Sequence, residues 1–227
     1  METIKDSIEI SDINKTINDK KQFKKIHLIY PPFSLESAKG RKENYGVAIL
    51  PPLGMLTLAG EIEKHGYDVS FIDAEVELLS EDDILKQTID FKPDVVGIYC
   101  TTSNFKYLIE LSKKIKNILG STIFFGGPHV WHHWESVVNS GVVDYTVVGE
   151  GEETCIELLD ALNKKESVLD IKGLAYLDEN GKAKFNGERV FVKDLNVLAY
   201  PAFHLVNVTK YRPSPQHVKR KQSITMN

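Results

Sequence analysis

The sequence predicts an α/β domain: a doubly wound, five-stranded parallel sheet of Rossmann-like, flavodoxin-like order, with a small C-terminal β-hairpin appendage. Three observations carry this. Five short apolar runs alternate with stretches of helix length whose apolar residues recur every three or four positions. The runs are continuous in apolar character, as strands covered by helices on both faces are. After residue 165 the pattern shortens around Asp178-Glu179-Asn180-Gly181, a hairpin turn signal.

The first strand is Ile26-His27-Leu28-Ile29-Tyr30, stopped by Pro31-Pro32. A loop with Gly40 and Gly46 follows, and Pro51-Pro52-Leu53-Gly54 opens a helix to about Lys64. Proline suits a first helical turn, where its missing N–H has no partner to lose. Leu53, Leu56, Ala59 and Ile62 share a face, and Gly66 is the stop. The second strand is Asp68–Asp73. Ser80, with Asp83 three residues on, caps a helix that buries Ile84, Leu85 and Ile89. The third run is Val95–Cys100. Ser103 or Asn104 caps a helix whose Phe105, Leu108, Ile115, Ile118 and Leu119 share a face. Thr122–Phe125 is the fourth strand, and His133–Asn139 a short helix. Val142–Val148 is the fifth strand, and Gly149-Glu150-Gly151-Glu152 leads into a helix with Cys155, Leu158, Leu159 and Leu162. Beyond it, 173–177 and 182–185 form the hairpin, with Arg189–Val192 as a candidate third strand.

Composition excludes several classes. A chain of 227 residues buries roughly 70% of its unfolded surface without needing a staple. Lys plus Arg number 28 and Asp plus Glu 32, a net charge of −4, which argues against a general nucleic-acid binder. There is no apolar run of about 18 residues to span a membrane. The polar start lacks a signal-peptide core, so a cytoplasmic location is expected. Two cysteines, Cys100 and Cys155, support neither a disulfide framework nor a cysteine-held iron–sulfur cluster.

In such a fold the chemistry lies at the carboxyl ends of the strands. The candidates there are Pro32 and Phe33; Thr101, Thr102, Ser103 and Asn104; Gly126, Gly127, Pro128 and His129; and Gly149, Glu150, Gly151 and Glu152. A phosphoacceptor domain needs acids after strands one and three, where this chain has proline and threonine. A dinucleotide fingerprint fails too, because Gly149–Thr154 lacks a third glycine and carries three acids that repel a pyrophosphate. The hydroxyls at 101–103 cap a helix or meet a ligand. The paired glycines make a tight turn or admit a ligand to the backbone. His129 reads as an exposed loop histidine or as a cofactor contact. With His132 and His133 it lacks a nearby cysteine or carboxylate at metal-ligand spacing. Trp131 and Trp134 read as packing anchors.

These loops, taken in order, resemble a known family. Pro51-Pro52-Leu53-Gly54 into Leu58-Ala59, Gly66-Tyr67-Asp68-Val69 with Ile72-Asp73-Ala74, and Pro93-Asp94-Val95-Val96-Gly97-Ile98 carry the likeness. So do Gly126-Gly127-Pro128-His129, Asp144-Tyr145 through Glu152, Ile171–Tyr176 and Pro201-Ala202. Together they resemble the N-terminal cobalamin (B12)-binding domain of B12-dependent radical SAM proteins, from about Lys25 onward.

The resemblance implies base-off cobalamin above the strand ends, its benzimidazole tail running down beside the sheet. The glycines and hydroxyls would meet the corrin and its amides, and Gly149 and Gly151 would leave room for the tail. The cobalt-ligating histidine of an Asp-x-His-x-x-Gly motif is replaced here by Tyr30-Pro31-Pro32-Phe33, so no protein histidine ligand to cobalt is expected. The 4Fe-4S cluster and S-adenosylmethionine would belong to a downstream radical SAM domain, in cis or in trans, probed by whether a Cys-x-x-x-Cys-x-x-Cys loop follows. The expected organisation is a polar leader (1–25, with Ile8, Ile10 and Ile13 suited either to docking or to a mobile arm), a cobalamin domain (26–165), the appendage (166–210) and a linker (211–227). The expected role is cofactor binding for a methyltransferase-type radical SAM enzyme, this chain alone not catalysing. A stand-alone cobalamin carrier or sensor, or a flavodoxin-like domain with another cofactor, is the alternative.

Overall fold

The computed structural model describes residues 23–32 and 49–212. Phe33, the leader, the loop with Gly40 and Gly46, and most of the expected linker lie outside them. The elements are β1 (Lys25–Tyr30), α1 (Leu53–Lys64), β2 (Asp68–Asp73), α2 (Glu81–Phe91), β3 (Val95–Tyr99), α3 (Phe105–Leu119), β4 (Thr122–Gly126), α4 (Pro128–Val138), β5 (Tyr145–Val147), α5 (Glu152–Lys164), β6 (Leu174–Leu177) and β7 (Ala183–Phe185).

Among the described residues the strands form one sheet in the order β2-β1-β3-β4-β5-β6-β7. Strands β1 to β5 are parallel, as expected from their apolar runs. The hairpin is not a separate appendage. Strand β6 pairs antiparallel with β5, and β7 with β6, so the hairpin extends the same sheet. Its inner strand is as apolar as the parallel ones, with Leu174, Ala175 and Tyr176 buried, which is why it joins the core. Helices α1 and α5 cover one face, packing on Ile26, Leu28, Val95, Phe124 and Val147. Helices α2, α3 and α4 cover the other, on Ile29, Val96, Ile98, Ile123 and Phe125.

Helix ends follow their sequence signals, with instructive exceptions. Ser80 and Asp83 form a reciprocal capping box on α2. Gly120 ends α3 in the left-handed conformation. Asn104 precedes α3 but its side chain does not cap it; Oδ1 accepts the Thr101 N–H at 2.8 Å and ties the loop instead. Ile118 is not on the buried face and is 54% exposed, because the stripe runs through Tyr107, Leu108, Leu111 and Ile115. Helix α4 begins at Pro128, five residues before the expected His133, where it kinks. Trp131 faces solvent, 46% exposed, while Trp134 does pack, its ring 5.5 Å from Phe185.

Arg189–Val192 forms no strand. Arg189 reaches back to Glu153, Glu157 and Thr154 of α5. Tyr211, read as the start of a linker, is buried, and its hydroxyl donates to Asp73 Oδ2 at 2.8 Å. No helix of the described residues is long and apolar enough to cross a membrane.

Candidate functional site

A cleft of about 430 Å³ opens at the carboxyl ends of β1, β3, β4 and β5, between the first turns of α1 and α5. The sequence folds this way because three of those strands run into residues that end them: proline after β1, and glycine at the end of β4 and after β5. Of the expected residues, Gly126, Gly127, Gly149, Glu150, Gly151 and Glu152 line it. Tyr30, Pro52, Leu53, Gly54, Met55, Leu58, Tyr99, Phe124, Val147 and Cys155 line it as well.

The glycines do different work. A Cβ on Gly54 or Gly149 would meet nothing within 4 Å, and one on Gly126 nothing nearer than Val147 O at 4.0 Å, so all three border open cleft. Gly127 differs in its surroundings: its φ is +100°, much as Gly149's is +91°, but a Cβ at 127 would lie 2.9 Å from Cys100 O and 3.0 Å from the Tyr99 ring. The backbone itself demands glycine at 127 and 149, whereas at 54 and 126 nothing among the described residues does. Gly97, inside β3, makes room beneath: a Cβ there would strike the Phe124 ring at 2.3 Å. Phe124 thereby lies across the sheet as part of the cleft floor.

The buried part of the lining on this face is apolar: Met55, Leu58, Phe124, Val147 and Cys155. The Tyr30 and Tyr99 rings meet tilted, their centroids 4.9 Å apart, and burial raises both phenols, Tyr30 to about 12, so both stay protonated. Burial also pushes the Cys100 thiol up to about 12 and the Cys155 thiol higher still, leaving both as neutral packing groups. Glu150 Oε2 accepts the Val192 N–H at 2.8 Å. The Glu152 carboxyl is raised by burial and then by the nearby charges of Glu150 and Glu61.

The remaining expected residues gather on the other side of the strand ends. Thr101 and Ser103 hydroxyls are 2.9 Å apart, and Thr102 Oγ1 is 3.1 Å from His129 Nδ1. Thr102 and Ser103 are exposed, Thr101 is half-buried and Asn104 is buried. His129 is not an exposed loop residue. It is buried in the first turn of α4, its N–H donates to Cys100 O, and its ring lies 4.5 Å from Phe105 and 4.7 Å from His133. Burial and the neighbouring His133 lower its pKa, so the ring is neutral. Its Nε2 is buried with no hydrogen-bond partner among the described residues. Pro128 is exposed at the start of α4, and Pro32 is buried after β1 without lining the cleft. Among the described residues no three His, Cys, Asp or Glu side chains come together as a metal site.

What the sequence reading missed is the α1 half of the cleft. The signal was present in Pro52-Leu53-Gly54: a glycine in a first helical turn lowers helix propensity without serving the turn.

The architecture defines an α/β domain with an open cleft at its strand ends. Residues 47–159 match the B12-binding domain family, and the chain carries a B12-binding domain of that family. It is 36% identical over 190 residues to an uncharacterised methyltransferase of Pyrococcus horikoshii, covering 83% of this chain and 40% of that protein. It is 27% identical over 201 residues to the cytidylyl-2-hydroxyethylphosphonate methyltransferase of Streptomyces wedmorensis, covering 70% of this chain and 37% of that protein. The chain thus spans well under half the length of these relatives. Its fold resembles that of the cobalamin-dependent S-adenosylmethionine radical enzyme OxsB with aqua-cobalamin bound, with a TM-score of 0.64 at 18% identity, covering 94% of this chain and 27% of that one.

The residues present fit the cofactor this family takes. A corrin needs backbone access and amide partners; the tail needs a narrow apolar slot. Among the described residues, Gly54, Gly126 and Gly149 border space a Cβ would fill, and His129 Nε2 is a buried polar atom without a partner.

Proposed function

We propose that this chain holds cobalamin base-off across the strand ends, its tail in the α1/α5 cleft, as the cobalamin-binding part of a radical SAM enzyme of methyltransferase type. The observation that supports this best is the cleft itself, bordered by glycines whose Cβ positions are empty. Bound cobalamin supplies a cobalt centre able to accept and pass on a methyl group. The chain binds and orients it. Gly126 and Gly149 admit the ring system to the backbone, and Gly127 keeps Tyr99 in place beneath it. Thr101, Thr102, Ser103 and His129 face its amide fringe from the α3/α4 side. The free oxygen of Glu150 accepts from an amide on the α5 side. Gly151 and Glu152, at the first turn of α5, border the tail, and Pro32 with Phe33 follows β1 where a ligating histidine would stand. No side chain of that segment offers an imidazole, so it would supply no nitrogen to cobalt. The radical SAM domain, in cis or in trans, would hold the 4Fe-4S cluster and S-adenosylmethionine. The working place is the cytoplasm, and with a net charge of −4 nucleic acid is not the partner.

Titration with hydroxocobalamin under reducing and non-reducing conditions tests this. Equimolar corrinoid retained after desalting, with a base-off spectrum, is expected. An unchanged free-cobalamin spectrum and no retention would overturn the reading.

A further inference from the structure

We infer that the cleft between α1 and α5 selects cobamides by their lower base, preferring the apolar 5,6-dimethylbenzimidazole tail to a purine tail such as adenine. The inference rests on the cobalamin reading above and goes beyond it to which corrinoid is accepted.

The argument starts from the buried lining. Met55, Leu58, Phe124, Val147 and Cys155 contribute only carbon and a neutral thiol. All five belong to the same apolar cluster between the sheet and helices α1 and α5. The polar side chains of the cleft are confined to its half-buried part: Tyr30 and Tyr99, their rings in tilted contact, and Glu150 and Glu152 at the start of α5. One Glu150 oxygen is already taken by the Val192 N–H. Dimethylbenzimidazole, once off cobalt, presents two methyl groups and a fused ring with little to hydrogen-bond. Adenine presents an exocyclic amine and ring nitrogens that water would satisfy and this lining does not. A buried polar group left without a partner weakens binding, whereas an apolar base gains from the same walls. Discrimination of this kind arises from what the site withholds.

The shape agrees. Gly97 lets the Phe124 ring lie over the sheet, giving a flat aromatic surface for a fused ring to rest on. Gly54 and Gly126 both line the cleft, and a Cβ on either would meet no described atom nearer than 4.0 Å, which leaves room along these positions for a flat base.

The test compares three corrinoids with the full chain: hydroxocobalamin, adeninylcobamide, and cobinamide, which has no nucleotide tail. Dissociation constants are corrected by each free corrinoid's own base-off equilibrium, read from its acid titration. Hydroxocobalamin is expected to bind at least about tenfold more tightly than adeninylcobamide, with cobinamide weaker than hydroxocobalamin. Cys155→Ser and Val147→Thr each place a hydroxyl in the lining at nearly constant volume, and each should shrink the preference by several-fold. Two variants guard against one that folds poorly, and far-UV circular dichroism identifies it. Equal binding of adeninylcobamide, or a preference unmoved by both folded variants, would overturn the inference while leaving the cobalamin reading intact. Cobinamide binding as tightly as hydroxocobalamin would overturn it by placing the tail outside the cleft. Failure of all three corrinoids to bind would remove the cobalamin reading and the preference with it.

Discussion

Two sides of the strand-end edge face the same place with opposite chemistry. On the α1/α5 side the buried lining is apolar and the rim is glycine. On the α3/α4 side the groups are hydroxyls, an amide and an imidazole, several of them bonded to each other. The difference predicts how each side contributes. A packed apolar slot responds steeply to added volume, because a ligand and a side chain cannot share the space. Hydroxyls at the surface exchange one partner for water, so each is worth little net.

The largest effect should therefore come from filling the slot. Gly126→Leu and Gly54→Leu are expected to weaken hydroxocobalamin binding at least about tenfold without lowering the thermal midpoint. At Gly54 the substitution improves helix propensity by up to about 1 kcal/mol, so a stabler protein that binds less is the expected pair of readings. Gly127→Val should behave otherwise. Its φ of +100° and the close Cys100 carbonyl and Tyr99 ring make it lose stability first, of order 1–3 kcal/mol. Wild-type affinity in Gly126→Leu, measured by absorbance titration, would break the comparison and move the ligand away from this wall.

The same contrast explains what the sequence made legible. Parallel strands buried on both faces leave continuous apolar runs, so β1 to β5 and their loops could be read directly. The loops after β3, β4 and β5 were found because glycines and clustered hydroxyls are conspicuous. The α1 wall was not, because Leu53, Met55 and Leu58 repeat with helical period and look like any buried face. Tyr30 and Tyr99 read as strand ends, and only the folded structure shows that they line the cleft. The hairpin was read correctly as local structure. Its attachment to β5 is a long-range pairing that no local pattern encodes.

Beneath the polar side, the α2/α3 face carries a buried titratable group, and a second lies at the end of β2. His27 is fully buried with neither ring nitrogen partnered among the described residues, and burial pushes its pKa down to about 4. Its native form resists protonation, so stability present above the unfolded value of about 6.5 is lost as pH falls toward 4, by about 3 kcal/mol. Asp73 runs the other way. Burial raises it to about 6, offset only in part by hydrogen bonds from the Val76 N–H and the Tyr211 hydroxyl. Keeping it ionised costs stability as pH rises through that value, again by about 3 kcal/mol. The two nearly cancel between pH 6.5 and 4. Urea unfolding of the wild-type chain should thus vary little across that window. His27→Leu should grow more stable on acidification, and Asp73→Asn less stable. A His27→Leu variant whose pH dependence matched the wild type would show that His27 is not the acid-sensitive group.

The smallest effect, and the sharpest test of the comparison, belongs to His129. Its Nδ1 faces Thr102 and its Nε2 is buried without a partner among the described residues, which suits one hydrogen bond to an amide at the corrin fringe. It follows β4, on the α3/α4 side, and the segment after β1 offers proline instead of histidine. His129→Ala should therefore weaken hydroxocobalamin binding only about two- to tenfold, the worth of one or two net hydrogen bonds. Thr102→Val should cost no more, and the double variant little beyond His129→Ala, because the two side chains share one bond. Electron paramagnetic resonance of bound cob(II)alamin should show no nitrogen triplet on the cobalt lines in either wild type or His129→Ala. A triplet in the wild type that disappears in His129→Ala would make this imidazole the axial ligand. Binding would then be dominated by the polar side, and the steep dependence expected of Gly126 and Gly54 would have to pass to His129.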